Sequence, residues 1–129
     1  MNRTILRIAA SAAVLIGIMA VIVGTRTLIG SNDPGYTTFN LLIIYNVVMG
    51  LVSLVAGYQI WNGYALAQKL SGVILLGHIA VLVMLVTIFN DIIAIQSIKA
   101  MIFRVGVWLV IFITVHILFN YKTRSLKRD

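Results

Sequence analysis

Two histidines are the residues of this chain best suited to carry chemistry. His78 and His116 are its only histidines, and neutral imidazole is a good axial ligand for haem iron. If both lie on neighbouring antiparallel helices, a b-type haem can be held between them. One hypothesis is therefore a single-haem electron-transfer module ligated by His78 and His116. The alternative is that each imidazole forms hydrogen bonds to a neighbouring helix.

A cation and an aromatic ring follow at helical spacing. Arg104 and Trp108 are four residues apart, so in a helix the guanidinium can reach the face of the indole ring. This pair predicts an anion or headgroup site on the outer face. An arginine that extends to the interface beside a packed tryptophan is the alternative interpretation.

Asn46 is a polar residue in strongly apolar surroundings. Polar groups inside a membrane are costly and need a partner. We therefore predict that Asn46 contacts another helix or lines a small polar pore. With Ser53 and Arg104 it could line the path of a small channel or carrier, which is a further functional alternative.

Missing residue types exclude several kinds of catalytic site. The chain has no cysteine and only three acidic residues, and none of the three lies within the long apolar segments. Thiolate metal sites and cysteine nucleophiles are therefore excluded, as are the paired carboxylates of acid–base hydrolysis. We expect a protein that is not an enzyme. No cofactor is required by the sequence, and haem b is the candidate.

The composition is that of a membrane protein. Of 129 residues, 61% are hydrophobic and 10% are charged, whereas a soluble domain has about 25% charged residues. A bilayer-spanning helix needs roughly 20 mostly apolar residues. The segments between charges do not alternate as the strands of a membrane barrel would. The sequence predicts one all-α domain over residues 1–129, with helices at Ile5–Leu28, Phe39–Asn62, Leu70–Phe89 and Met101–Asn120.

The connection over residues 90–100 is unusually apolar. Five isoleucines lie in or beside it, too many for an ordinary polar loop. It could form a short interfacial helix, or it could be an early beginning of the fourth helix. A cap at Asn90 or Asp91 is compatible with either structure.

The basic residues predict the orientation. Four spans form an up-down-up-down four-transmembrane-helix bundle with both termini on one side. Seven of the ten basic residues then share that side, which makes it cytoplasmic by the positive-inside rule. The net charge of +7 follows from this topology and does not indicate nucleic-acid binding. The basic C-terminal tail could also contact anionic lipid.

Small residues mark the expected helix contacts. Ala9, Ala13 and Gly17 recur every four residues in the first helix, and Ser53 and Gly57 do so in the second. Close backbone approach drives helix association in lipid, so these two helices should pack together. Few polar groups converge, which favours a non-catalytic accessory or scaffold subunit that packs against other membrane subunits or against copies of itself. We expect a multi-pass integral membrane protein, in the cytoplasmic membrane of a bacterium or archaeon.

Overall fold

Four long helices make up the computed structural model, which describes residues 2–31, 33, 35 and 38–126. They are α1 (Arg3–Leu28), α2 (Asn40–Asn62), α3 (Leu66–Thr87) and α4 (Ile95–Leu126). The described residues contain no strand. All four helices are long and apolar enough to cross a membrane, which is the pattern of a multi-pass integral membrane protein.

Local signals explain where α1 begins and where α2 ends. Asn2 caps α1, because its Oδ1 accepts hydrogen bonds from the backbone N–H groups of Thr4 and Ile5. At the end of α2, Gly63 adopts a φ of +70°. The N–H of Gly63 donates to Ile60 and that of Tyr64 donates to Gln59. This Schellman arrangement needs a left-handed residue, which glycine adopts without steric cost.

The last two helices differ from their predicted bounds. The predicted Leu70 start of α3 is wrong by four residues, because the Schellman turn at Gly63 is tight and the helix restarts at Leu66. The prediction for the fourth helix was too short at both ends. The segment Ile95–Ala100 forms the first turns of α4, so an early beginning of the fourth helix is the correct structure there. Tyr121–Leu126 continues the helix, since no glycine or proline interrupts it.

The predicted close packing of α1 and α2 is confirmed. These two helices form the most extensive contact in the bundle. A Cβ placed on Gly17 would lie 2.8 Å from the Gly50 carbonyl oxygen, and one on Gly57 would lie 3.1 Å from the Ala10 carbonyl oxygen. The backbones of α1 and α2 are therefore in close contact at these glycines, which have no side chain to separate them.

The other contacts arrange the helices as a ring. Helix α3 packs against α2 and α4, and α4 has a smaller contact with α1. Phe39 and Phe89 meet at 5.0 Å between ring centroids, which places the α1–α2 and α3–α4 connections at one end, called here the loop end. Arg3, Asn62 and Lys122 line one cavity. The start of α1, the α2–α3 turn and the end of α4 thus form the other end, called here the termini end.

Candidate functional site

A cluster of four polar side chains lies inside the bundle, where α2, α3 and α4 meet. Arg104 Nη1 donates a hydrogen bond to Asn46 Oδ1 at 2.6 Å. Tyr45 Oη and His78 Nδ1 are 2.9 Å apart, also in hydrogen-bond contact. The two pairs start from adjacent residues of α2 and reach different helices, so α2 joins them into one group.

The four side chains come from three helices: Tyr45 and Asn46 lie on α2, His78 on α3 and Arg104 on α4. His78 is 2% exposed, and the other three members are half-buried. We call Tyr45, Asn46, His78 and Arg104 the polar cluster.

The polar cluster lies within the candidate membrane spans. At 1.5 Å per residue, Asn46 lies about 9 Å from the first residue of α2, and Arg104 lies about 14 Å from the first residue of α4 but only about 5 Å from Met101, the predicted start of the fourth span. His78 lies about 14 Å from the end of α3 by the same measure. Polar groups at such depth are expensive unless they bond to one another or serve a ligand.

A cavity of about 90 Å³ adjoins the cluster between α1, α2 and α4. This volume has room for ordered water. Its polar lining comes from three helices and the segment before α2. The polar lining residues are Thr27, Thr38, Asn46, Ser97 and Arg104.

Trp108 is a packed residue, as in the alternative interpretation of its spacing to Arg104, and does not belong to an anion site. Its side chain is completely buried in the main core, against residues such as Ile111 and Val115. Its indole N–H has no acceptor among the described residues. The cavity is lined by Arg104 but not by Trp108. Trp108 is therefore a core residue, and the candidate anion site is formed by Arg104 with groups from other helices.

The two histidines are not brought together. His116 is exposed near the end of α4, and its Nδ1 and Nε2 lie 2.5 Å and 2.8 Å from the side-chain amides of Gln68 and Asn120. Gln68 and His78 are ten residues apart on α3, which is about 15 Å of helix. Gly72, between them, faces Phe112 of α4, as expected for antiparallel helices. This arrangement does not place His78 and His116 on one iron atom.

The sequence analysis did not identify two polar residues of this region, Tyr45 and Ser97. Tyr45 is adjacent to Asn46 in a strongly apolar helix, and a hydroxyl beside an amide was the available signal. Ser97 is 8% exposed but falls in the connection that could not be assigned from the sequence. Its burial depends on α4 beginning early, at Ile95.

An apolar groove runs between α1 and α4, with a volume of about 440 Å³. Thr114 is the polar member of its lining. Gly106 lies in the groove, and a Cβ added there would meet nothing within 4 Å among the described residues. The other lining residues are Ile5, Ile8, Ala9, Ala12, Phe103, Val107, Val110 and Ile111.

Metal chemistry has no evident centre in the part of the chain that the structure describes. No group of three or more histidine and acidic side chains converges there. The candidate site is thus a cationic, hydrogen-bonding pocket within the spans, suited to binding. In comparisons with known proteins, no family model, no curated protein and no solved structure matches this chain.

Proposed function

We propose that this chain is a non-catalytic accessory or scaffold subunit of a membrane assembly, and that the α1–α4 groove accommodates a helix of the partner. The open space at Gly106 carries this proposal. At Gly17, Gly50 and Gly57, a neighbouring helix lies within 3.1 Å of the position that a Cβ would take. A glycine inside a helix costs about 1 kcal/mol relative to alanine, and for these three the close helix contact offsets that cost.

Within the described part of the chain, no helix packs against Gly106 closely enough to offset this cost. Its position in the groove is open, and Ala9 and Ala12 on the facing helix are also small. Small residues allow two helix backbones to approach closely in lipid. A helix from another subunit, or from a second copy, would make use of this space in the way that α1 and α2 use theirs.

The orientation belongs to the same proposal. The termini end carries Arg3, Arg7, Lys69, Lys122 and Arg124, while Lys127 and Arg128 lie outside the described residues. The positive-inside rule then directs this end to the cytoplasm, and we place the protein in the cytoplasmic membrane of a bacterial or archaeal cell. Anionic lipids of the inner leaflet would contact these charges.

The geometry gives less support to the two alternative functions, a single-haem module and a small channel or carrier. A single haem needs both imidazoles on one iron, but about 15 Å of helix separates their levels. A channel through Asn46, Ser53 and Arg104 needs a shared path. The Ser53 hydroxyl donates to the Met49 carbonyl of its own helix, and Ser53 does not line the cavity that Asn46 and Arg104 share.

Crosslinking in the native membrane tests the proposed packing. The chain has no cysteine, so Gly106→Cys introduces a unique thiol in the groove. Val73→Cys on α3, 62% exposed, is the matched control on a surface open to lipid. We expect Gly106→Cys to give a defined product with one partner chain, or with a second copy, and Val73→Cys to give none.

A bulky side chain at position 106 provides a second test. Gly106→Leu should abolish stoichiometric co-purification of the partner in mild detergent, and Val73→Leu should preserve it. A chain that purifies alone as a folded monomer, with no specific product from Gly106→Cys, would refute the subunit proposal.

Cysteine labelling tests the orientation. Ser31 at the loop end and Ser125 near the end of α4 are both exposed. With a membrane-impermeant maleimide on intact cells, we expect Ser31→Cys to react and Ser125→Cys to react only after permeabilisation. The reverse pattern would invert the proposed topology.

A further inference from the structure

We propose that the cavity beside Arg104 binds a phosphate group, supplied either by a lipid headgroup or by free phosphate. This ligand site goes beyond the proposed packing role and does not depend on it. The cavity lies between α1, α2 and α4, whereas the groove proposed for the partner lies along Gly106 on the outer side of α1 and α4.

The charge of the cavity favours an anion. Arg104 contributes a guanidinium, and the described residues of the lining include no carboxylate. A guanidinium presents its N–H groups as a planar fork that matches two oxygens of a phosphate. The 2.6 Å bond to Asn46 Oδ1 fixes the orientation of this fork before any ligand arrives.

Neutral donors surround the guanidinium. Because Asn46 accepts through Oδ1, its Nδ2 amide is the group it can offer to an anion. Ser97 and Thr38, whose side chains carry hydroxyl groups, are also lining residues. The Thr27 hydroxyl already donates to the Val23 carbonyl and is therefore not counted as a donor. Three neutral donors and one cation form a lining suited to an oxyanion.

Size and position agree with a phosphate group. A cavity of about 90 Å³ has room for a small polar group such as a phosphate. Thr38 precedes α2, and Ser97 is in the first turn of α4, so the cavity reaches the loop end of the bundle. Lipid phosphates lie at this level when the helices span a bilayer. The rest of a headgroup could then remain outside.

Burial supports a functional reason for the arginine. A charged side chain that is half-buried inside a membrane bundle is costly to insert and is usually tied to a partner or a ligand pathway. Arg26 and Lys99 lie near the same end of the bundle and are exposed. Arg104 differs from them because its charge is directed into the protein.

The experiment uses the full chain purified in dodecyl maltoside, a detergent without phosphate. Thermal unfolding is followed by tryptophan fluorescence while orthophosphate is added, with sodium chloride at equal ionic strength as the reference. A second arm adds phosphatidylglycerol without free phosphate. A ligand that binds the folded state raises the unfolding temperature.

The variants separate this site from general charge. Arg104→Gln removes the guanidinium charge but keeps an amide, and Arg26→Gln makes the same change at an exposed position. We expect Arg104→Gln to weaken the stabilising ligand at least tenfold and Arg26→Gln to weaken it less than twofold. Stabilisation by orthophosphate identifies free phosphate as the source. Stabilisation by phosphatidylglycerol alone identifies the lipid headgroup.

Other outcomes overturn the proposal. These are no stabilisation above the chloride reference in either arm, or an equal loss in the two arginine variants. If Arg104→Gln does not fold, Ser97→Ala replaces it, with an expected weakening of about threefold from the loss of one hydroxyl donor. Unchanged affinity in Ser97→Ala would then refute the site.

Discussion

Arg104 on α4 and Asn46 on α2 are joined by a hydrogen bond of 2.6 Å, although 58 residues separate them in the chain. The bond directs a cationic side chain toward the interior of the bundle. It also connects the polar cluster on α2 to α4, whose direct contact with α1 is small. The stability of this region should therefore depend on Asn46.

Replacement of Asn46 by leucine should destabilise the protein. The Arg104 guanidinium loses an acceptor inside the bundle, and we expect the free energy of unfolding to fall by about 1–3 kcal/mol. Unfolding in sodium dodecyl sulfate, followed by circular dichroism, measures the change. Asn62→Leu is the matched control, because Asn62 is exposed at the end of α2 and bonds to the Tyr58 carbonyl of its own helix. Its effect should remain within about 0.5 kcal/mol, and equal losses in both variants would contradict the prediction.

A double-mutant cycle measures the energetic coupling between Asn46 and Arg104. With Arg104→Gln as the second change, residues in direct contact should show a coupling of about 0.5–3 kcal/mol. Strictly additive effects of Asn46→Leu and Arg104→Gln would mean that the bond contributes nothing to stability in the membrane.

Two glycines should respond in opposite ways to the same substitution. A Cβ at Gly17 would lie 2.8 Å from a backbone oxygen, which cannot rotate away, whereas Gly106 faces open space. We expect Gly17→Ala to lower the free energy of unfolding by about 1–3 kcal/mol through overpacking. Gly106→Ala should raise it by up to about 1 kcal/mol through helix propensity. Unfolding of the isolated chain in detergent measures both, and a destabilised Gly106→Ala would show that its space is used within the chain.

The separation of the histidines predicts the outcome of a haem titration. About 15 Å of helix separates the levels of His78 and His116, and both ring nitrogens of His116 lie within hydrogen-bond distance of side-chain amides. Haem added to the purified protein should give no sharp Soret band of a bis-histidine complex. A band that disappears in both His78→Ala and His116→Ala would instead establish the haem hypothesis.

Anionic lipid should act on the termini end through a defined cleft. Arg3, Arg7 and Lys122 line one cavity of about 240 Å³ with Trp61, and the Arg7 guanidinium carbon lies 5.3 Å from the Trp61 ring centroid. Phosphatidylglycerol should change Trp61 fluorescence, and Trp108→Phe removes the second tryptophan from the signal. Binding should weaken at high salt because surface charges are screened.

Matched arginine variants locate this lipid contact. Loss of one basic residue near the surface costs about 1 kcal/mol of lipid affinity, and we expect this cost for Arg7→Gln. Arg124 lies in the exposed last turn of α4, outside the cleft. Arg124→Gln should therefore have a smaller effect. A larger effect of Arg124→Gln would assign the contact to the C-terminal tail.

The sequence by itself determined the local properties of this protein. The number of helices follows from runs of about 20 apolar residues, since the 1.5 Å rise of a helix and the thickness of a bilayer set that length. The seam between α1 and α2 was also visible, because glycine and alanine at a spacing of four lie on one helix face. The end of α3 and the extent of α4 were less clear, because apolar residues continue across the boundary near Ile92 and Ile95.

Only the tertiary structure decided which polar side chains meet. Arg104 and Trp108 are close in sequence, yet the rotation of α4 places Trp108 in the core and Arg104 beside Asn46. His78 and His116 lie on neighbouring helices, but at different levels along the bundle. The hydrogen-bond partner of His78 is Tyr45. Spacing along a chain defines faces of single helices. The rotation and axial shift between helices arise from close packing of all side chains, and a single helix does not carry that information.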